Sequence, residues 1–178
     1  MRIVAGKYRS RRIIAPNNLP VRPTTDMAKE ALFNILNNTY YFDEVTVLDL
    51  FAGIGSISFE FASRGCTNIT SVDAHFGCIK FLEKTSDALE ANLQTVKSDV
   101  FNFLERNSQS YDIIFADPPY DMEGEHFLKL IELVYERGLL KPNGTLIIEH
   151  SKQTDLSSHA EFIKSKKYGG NVFSFFSN

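Results

Sequence analysis

From Val45 onward, short apolar runs alternate with longer amphipathic segments along the chain. The apolar runs have the length of strands and few polar positions, which is typical of strands covered on both faces, whereas the longer segments have helical periodicity. We predict strands at Val45–Leu50, Asn68–Val72, Gln94–Lys97, Asp112–Ala116 and Thr145–Glu149. We predict helices at Ser56–Ser63, Phe76–Ala91, Val100–Arg106 and Glu125–Arg137. The alternation indicates an α/β fold, with a mostly parallel sheet between two layers of helices.

The N-terminal part of the chain has a different pattern. Residues 2–14 contain two short β-type runs separated by Gly6–Ser10, which predicts a short hairpin. The segment Thr24–Asp26 then offers capping oxygens ahead of apolar residues at helical spacing. We therefore expect a helix that ends near Asn37.

The C-terminal part also departs from the alternation. The β-type runs Glu161–Lys167 and Val172–Phe176 flank the turn residues Tyr168–Asn171. We expect an antiparallel hairpin here, which would bring the sheet to seven strands.

Length and composition set limits on the kind of protein. With 178 residues and 43% hydrophobic content, we expect one domain, built from a basic hairpin (residues 1–22) and a core (residues 23–178). No window approaches the roughly 18 apolar residues that span a bilayer, and no export signal is visible, so we expect a cytoplasmic protein with no membrane partner. Cys66 and Cys78 have no ligand residues nearby, so we expect no metal site.

Charge is distributed unevenly along the chain. The net charge is only −3, but the first 22 residues carry six basic side chains and no acidic ones, and the remainder carries 13 basic and 22 acidic ones. An acidic body repels phosphate, so a nucleic acid would be captured mainly through the N-terminal residues. The residues expected to bind RNA are Lys7, Arg9, Arg11 and Arg12. The alternative is a solvated hairpin with incidental charge.

A glycine-containing turn follows the first predicted strand, in the segment Val47–Ser56. Glycine permits positive φ and close approach of a ligand, and ligands of open parallel sheets bind at the carboxyl ends of the strands. A dinucleotide site would look similar. However, Ser58 replaces the third glycine of that pattern, and Asp49 precedes the glycines. A carboxylate there suits a cofactor with an ammonium and a sulfonium better than one with a pyrophosphate.

Two further carboxylates follow the next two strands. Asp73 lies about 20 residues beyond the glycine turn, where it could accept hydrogen bonds from ribose hydroxyls. Asp99 follows the third strand and suits an adenine amino group. For both residues the alternative role is capping of the following helix, which is compatible with ligand binding.

The segment Asp117–Tyr120 (Asp-Pro-Pro-Tyr) follows the fourth predicted strand. Two consecutive prolines fix φ and make the loop rigid. Methylation of an aromatic amine requires acceptors that localise the nitrogen lone pair, and the Asp117 carboxylate and the Pro118 carbonyl can each accept one N–H. Tyr120 offers a face on which an unpaired or flipped base can stack.

With both loops in place, the sequence resembles the amino-group branch of the Rossmann-like class I S-adenosylmethionine methyltransferases, which modify adenine N6, cytosine N4 or guanine N2. The segments Met1–Arg9, Arg22–Asp26 and Glu30–Leu36 further resemble the RsmD-type family of 16S rRNA (guanine-N2)-methyltransferases. The resemblance covers nearly the whole chain. It implies a monomeric enzyme that methylates a guanine of ribosomal RNA within the small ribosomal subunit.

The resemblance also implies roles for individual residues. Arg22, Pro23 and Thr24 would close over the methionine end of the cofactor, S-adenosylmethionine. The rest of the implied cofactor site is Asp49, Phe51, Ala52, Gly53, Gly55, Asp73, Ala74, Asp99, Val100 and Asp117. The implied catalytic residues are Asp117, Pro118, Pro119 and Tyr120.

Other functions remain open at this point. An adenine-N6 methyltransferase acting on RNA or DNA would use the same proline loop. A catalytically silent RNA-binding protein would need only the basic N-terminal residues. A nicotinamide-dependent oxidoreductase is a third alternative, but Ser58 departs from its glycine pattern and no residue is placed as a hydride-transfer acid.

Overall fold

A computed structural model describes residues 1–21 and 24–178. The strands are β1 (Thr46–Leu50), β2 (Asn68–Asp73), β3 (Gln94–Lys97), β4 (Tyr111–Ala116), β5 (Leu140–Ser151), β6 (Phe162–Tyr168) and β7 (Asn171–Ser177). The helices are α1 (Asp26–Leu36), α2 (Ser56–Ser63), α3 (Phe76–Leu89), α4 (Val100–Arg106) and α5 (Gly124–Glu136). The predicted α/β alternation is confirmed.

The seven strands form one sheet in the order β3-β2-β1-β4-β5-β7-β6. Strands β1 to β5 are parallel, whereas β7 is antiparallel to both β5 and β6. The predicted C-terminal hairpin is therefore present, with β7 inserted between β5 and β6. From β1 the chain adds strands first to one side of the sheet (β2 and β3) and then to the other (β4 and β5). At such a switch point the carboxyl ends of β1 and β4 border a crevice of the kind that binds ligands in open α/β sheets.

Strand β5 is longer than the sequence predicts. Its first residue, Leu140, pairs with Tyr111, and the register then shifts so that Ile113 pairs with Thr145. The intervening residues form a bulge in the strand. Their sequence, which contains proline, asparagine and glycine, indicates a turn and therefore hides the first part of the strand.

The expected N-terminal hairpin is only partly formed. An isolated antiparallel bridge joins Arg2 and Arg12, instead of two strands. The ladder stops because the N–H groups of Val4 and Ala5 donate to the carboxylate of Glu60 in α2, at 2.8 and 3.0 Å, and not to the opposite arm of the hairpin. The backbone of this segment is thus bound to α2.

The N-terminal segment also contributes to the hydrophobic core. Ile3, Tyr8 and Ile13 are buried with α1 and α2 on one face of the sheet. A second apolar cluster covers the opposite face, where α4 and α5 pack. In the part of the chain that the structure describes, no helix has the length and apolar character needed to cross a bilayer.

Candidate active site

Strands β1 and β4 end at the same level of the sheet, and β5 passes this level and ends three residues later. Leu50 of β1 pairs with Ala116 of β4, and Ala116 pairs with Ile148 of β5. The next residue on β4 is Asp117, whose N–H is 3.4 Å from the carbonyl oxygen of Leu50. The residue after Ile148 is Glu149. The glycine turn, the proline loop and Glu149 are therefore neighbours at one edge of the sheet.

Near the carboxyl ends of these strands, three carboxyl side chains project from the same face of the sheet. Side chains alternate along a strand, so a residue two positions beyond a core residue lies on the same face. Asp49, Asp117 and Glu149 each follow by two positions a residue of the apolar cluster that packs against α1 and α2. The sequence predicted a site role for Asp49 and Asp117 from their place in the loops, and the structure brings them together with Glu149.

The glycine turn contains an unusual run of backbone conformations. Phe51, Gly53 and Gly55 all have positive φ, at 59°, 56° and 77°. Gly55 is the N-cap of α2, and a side chain there would collide with Leu82 and Phe59. Positive φ at a bulky residue such as Phe51 is energetically costly, and such strain is typical of functional sites.

Asp49 is buried and holds the turn to α2. Its Oδ2 accepts hydrogen bonds from the N–H and the hydroxyl of Ser58, at 3.1 and 2.5 Å, and the Ser58 hydroxyl lies 2.7 Å from that of Ser71 on β2. Burial raises the pKa of Asp49 to about 7, although the bonds from Ser58 oppose the shift. Ser58, which departs from the dinucleotide pattern, thus has a structural role in binding this carboxylate.

Asp73 connects the end of β2 to the glycine turn. Its Oδ2 accepts the N–H of Gly53 at 2.8 Å, and its Oδ1 accepts the N–H of His75 at 2.8 Å. Ala74, which lies between Asp73 and His75, is exposed. A carboxylate has about four acceptor positions, so these two bonds leave capacity for hydroxyl groups of a ligand.

Asp99 caps α4, which was the alternative role considered for it. Its Oδ1 accepts the N–H of Asn102 at 3.0 Å, and the residue is exposed at the same edge of the sheet. Val100, the first residue of α4, is buried beneath it. Capping uses one oxygen of the Asp99 carboxylate and is compatible with a ligand role.

The proline loop has a buried and an exposed half. Asp117 is half-buried and Pro118 is buried, whereas Pro119 and Tyr120 are exposed, Tyr120 by 69%. The loop and Glu149 line a pocket of about 20 Å³, which is room for about one water molecule. A base would therefore lie on the open side of the loop, against Tyr120, with only its amine directed inward.

Glu149 is a site residue that the sequence analysis did not identify as one. It is 3% exposed, and it accepts hydrogen bonds from the Thr24 hydroxyl at 3.2 Å and from the Asn171 side-chain amide. Its position at the end of a predicted parallel strand was a usable signal. Its contact with Asn171 depends on the antiparallel insertion of β7, which local sequence does not specify.

The cluster affects the acidity of its members. Burial, followed by the charges of Glu149 and Asp49, raises the pKa of Asp117 well above its ordinary value. Burial also raises the pKa of Glu149, whereas the bonds from Asn171 and Thr24 lower it. The two neighbouring carboxyl groups, Asp49 and Glu149, thus disfavour a negative charge on Asp117.

The predicted RNA-binding residues belong to the N-terminal segment, which runs beside α2 from one end of the helix to the other. The N–H of Lys7 donates to the carbonyl of Ser63 at 2.7 Å, so Lys7 and the adjoining turn with Arg9 lie at the C-terminal end of α2, away from the glycine turn. The side chains of Lys7 and Arg11 lie over the ring of Tyr8.

Arg12 is nearer to the site. It lines a cavity of about 810 Å³ together with Arg2, Asp26 and Ile54, and Ile54 belongs to the glycine turn. Of the segment predicted to close over the cofactor, Arg22 and Pro23 lie outside the described residues, and Thr24 is bound to Glu149. In the described ranges, no group of His, Cys, Asp or Glu side chains is arranged to hold a metal ion.

The sequence matches one protein-family model and is similar to ribosomal RNA methyltransferases of bacteria. It matches the family model described as conserved hypothetical protein 95 over residues 1–177. It is 35% identical to the ribosomal RNA small subunit methyltransferase D of Haemophilus influenzae, over 88% of this chain and 81% of that protein. It is 29% identical to the protein of the same name from Escherichia coli, over 88% of this chain and 77% of that protein.

Solved structures share the fold. The Escherichia coli protein yhhF, described as a candidate methyltransferase, has a TM-score of 0.86 and 26% identity, covering 99% of this chain and 96% of that one. A Thermus thermophilus 16S rRNA N2 methyltransferase, solved with AdoMet and guanosine, has a TM-score of 0.71 and 21% identity, covering 89% of this chain and 45% of that one. The predicted Rossmann-like class I methyltransferase fold is confirmed.

Proposed function

The chain belongs to the RsmD-type rRNA methyltransferase family, and we propose that it methylates the N2 amine of a guanine in small-subunit ribosomal RNA, with S-adenosylmethionine as the methyl donor. One observation carries the proposal. The proline loop that begins at Asp117 and the glycine turn that begins at Phe51 leave neighbouring strands at the same level. An amine held by Asp117 would therefore lie beside a ligand of the glycine turn.

The residues at this edge fit the cofactor. Asp73 retains acceptor positions for two ribose hydroxyls, and its bond to Gly53 holds the turn against them. Asp99 is exposed at the end of the next strand, where it can accept a hydrogen bond from an adenine amine. When bound, S-adenosylmethionine supplies a methyl carbon attached to a positively charged sulfur.

The chain's own groups prepare the amine. The Asp117 carboxylate and the Pro118 carbonyl each accept one N–H, which draws the nitrogen lone pair out of conjugation with the ring. Methylation makes the nitrogen positive, and the ionised Asp117 carboxylate beside it favours that charge. Tyr120, exposed on the open side of the loop, stacks on the base, which contributes about 1–3 kcal/mol.

The basic N-terminal residues would bind the RNA backbone first, and the target base would then enter the site between the glycine turn and the proline loop. Arg12 lies at the cavity beside the glycine turn and can contact a phosphate near the target nucleotide. Lys7, Arg9 and Arg11 extend the basic surface along the N-terminal segment to the far end of α2. We infer a cytoplasmic, monomeric enzyme that meets its RNA within the small subunit.

The second candidate is an adenine-N6 methyltransferase, because the proline loop would orient either amine. Incubation with labelled S-adenosylmethionine and small subunits purified from a strain that lacks the gene, followed by nucleoside analysis, separates the two. N2-methylguanosine is the expected product. N6-methyladenosine would contradict the guanine assignment, and an absence of cofactor binding by calorimetry would favour an RNA-binding role without catalysis.

A further inference from the structure

Glu149 and Asp117 lie at the same level on adjacent parallel strands, with Asp117 directly after the end of β4 and Glu149 within β5. Ala116 pairs with Ile148, and the two carboxyl side chains that follow these residues project to the same face of the sheet. Both side chains line the small pocket beneath the proline loop. The two groups are thus direct neighbours in a region with little water.

Glu149 is fixed by donors from two other parts of the chain. The Thr24 hydroxyl precedes α1, and the Asn171 amide begins β7. Hydrogen bonds from neutral donors favour the ionised form of a carboxyl group without cancelling its charge. Among the residues that the structure describes, no lysine, arginine or histidine forms an ion pair with Glu149.

We propose that Glu149 is a positioning residue that acts through Asp117: the two carboxyl groups share one proton, and the ionised Glu149 determines when Asp117 gives it up. The inference rests on the proposed function, in which Asp117 is the acceptor of the target amine. Two adjacent buried carboxyl groups cannot both ionise at ordinary cost. Asp117 holds the shared proton at rest, because Glu149 has two donors that stabilise its charge and, in the described part of the chain, Asp117 has no comparable pair.

The shared proton matters for the end of the reaction. Once the amine nitrogen has gained a methyl group, it carries one proton too many. Ionised Asp117 accepts that proton, so the N–H bond breaks with its electron pair left on nitrogen and an O–H bond forms on the carboxylate. Because Asp117 is half-buried and not sealed, it can then release the proton to water. Asp117 must therefore lose its resting proton before it can serve as acceptor.

Within residues 1–21 and 24–178, few other charges face the pair. Asp49 on β1 adds a third carboxyl group, and β7 has no ionisable side chain. The charged residues of the first turn of α1, Asp26 and Lys29, are engaged with Arg2 and Glu60. His150, the residue after Glu149, lines the same pocket, but its Nε2 bonds to the Ser174 hydroxyl and burial lowers its pKa, which favours the neutral ring. The pair is thus controlled mainly by its own two charges.

The test is the pH dependence of kcat/KM for RNA methylation between pH 5 and 9. In Glu149→Gln the neutral side chain no longer holds the proton on Asp117, so the acidic limb of the profile should move to lower pH by roughly one unit or more. Glu149→Asp keeps the charge, and its acidic limb should stay closer to that of the wild type. Glu161→Gln removes a carboxylate that is paired with His159 away from this corner, and its profile should match the wild type.

A structural role for Glu149 predicts a different result. Glu149→Gln would then lower the rate equally at every pH and leave the shape of the profile unchanged. That outcome, or a profile identical to the wild type in position and height, would overturn the proposal.

A measurement on the wild-type protein guards against variants that do not fold. The Asp117 carboxyl resonance in ¹³C NMR, assigned by its loss in Asp117→Asn, should titrate well above the ordinary value of about 3.9. Titration near that value overturns the proposal, whether or not Glu149→Gln folds. If the wild type methylates no RNA at any pH, the proposed function fails, and the NMR titration still tests whether Asp117 holds a proton at rest.

Discussion

Lys29 and Glu60 lie opposite each other in the buried contact between α1 and α2, with Lys29 Nζ 3.8 Å from Glu60 Oε2. Glu60 also accepts the N–H groups of Val4 and Ala5, and Lys29 donates to the carbonyl oxygen of Arg2 at 2.6 Å. The two charged side chains therefore bind the backbone of the N-terminal segment as well as each other. This segment is anchored to the core by buried polar groups.

Glu60→Gln should destabilise the protein by about 3–5 kcal/mol, because it removes the buried counter-charge of Lys29, which keeps only Asp26 at 4.0 Å, breaks the ion pair with Arg64, and removes one acceptor of the N-terminal backbone. Urea unfolding at neutral pH measures the change. Glu30→Gln, an exposed position on α1, is the matched control and should change stability by less than about 0.5 kcal/mol. A loss below about 1 kcal/mol for Glu60→Gln would contradict the anchoring role.

Asp49→Asn should change how stability depends on pH. The raised pKa of about 7 means that folded Asp49 binds a proton between about pH 4 and 7 that the unfolded chain has lost. This contribution is fully present below about pH 4 and is lost as the pH rises to about 7. The variant should therefore gain stability relative to the wild type across this window, by at most about 1.4 kcal/mol per pH unit.

Denaturant titrations at pH 4, 5.5 and 7 compare Asp49→Asn with the wild type. Ser58→Ala, which removes a hydroxyl that stabilises the charged form of Asp49, should raise this pKa further, so its decline should continue to higher pH than that of the wild type, and a further titration at about pH 8.5 measures this. A wild-type to Asp49→Asn difference that does not vary with pH would contradict the assignment.

Asp117→Ala should lower kcat by about 100-fold or more, because the carboxylate acts on the amine during methyl transfer. Affinity for S-adenosylmethionine, measured by calorimetry, should change by only a few-fold. Asp121→Ala removes an exposed carboxylate four residues along the chain and should retain nearly normal activity. If Asp117→Ala kept a normal rate, the acceptor role would be wrong.

Arg12→Gln and Lys7→Gln should each weaken RNA binding and reduce the salt dependence of the affinity by about one phosphate contact. Fluorescence anisotropy at several salt concentrations measures both quantities. Lys84→Gln, an exposed position on α3, is the control and should leave the slope unchanged. Charge substitution is preferable to truncation here, because removal of residues 1–15 would leave Glu60 and Lys29 without their backbone partners. If the salt dependence of RNA affinity were unchanged in both variants, the N-terminal segment would have a structural role and no role in RNA binding.

The sheet and its helices could be predicted because local pattern determines them. Apolar runs and helical periodicity identified every strand from β1 to β5, and Tyr168–Asn171 marked the final hairpin. The glycine turn and the proline loop could be assigned to the same edge because parallel strands bring their carboxyl ends together. The same rule placed four aspartates at this edge, namely Asp49, Asp73, Asp99 and Asp117.

Long-range partners were not predictable in the same way. The hairpin is cut short because its backbone donates to Glu60, the one acidic residue of α2, whose other residues are serine, alanine, isoleucine and phenylalanine. Only this position among uncharged residues could have indicated a special role for Glu60. The bond between Asn171 and Glu149 depends on β7 lying beside β5, which no local pattern specifies. In both cases the missing information is which distant donor satisfies a buried carboxylate.

The insertion of β7 between β5 and β6 has a consequence for how the protein matures. In a nascent chain that stops before residue 171, β5 is an open edge of the sheet and can pair with another chain. Glu149 also lacks the amide donor of Asn171 in such a chain. The donor set of Glu149 is therefore completed only when β7 has been synthesised, and unfinished chains carry a sheet edge prone to aggregation.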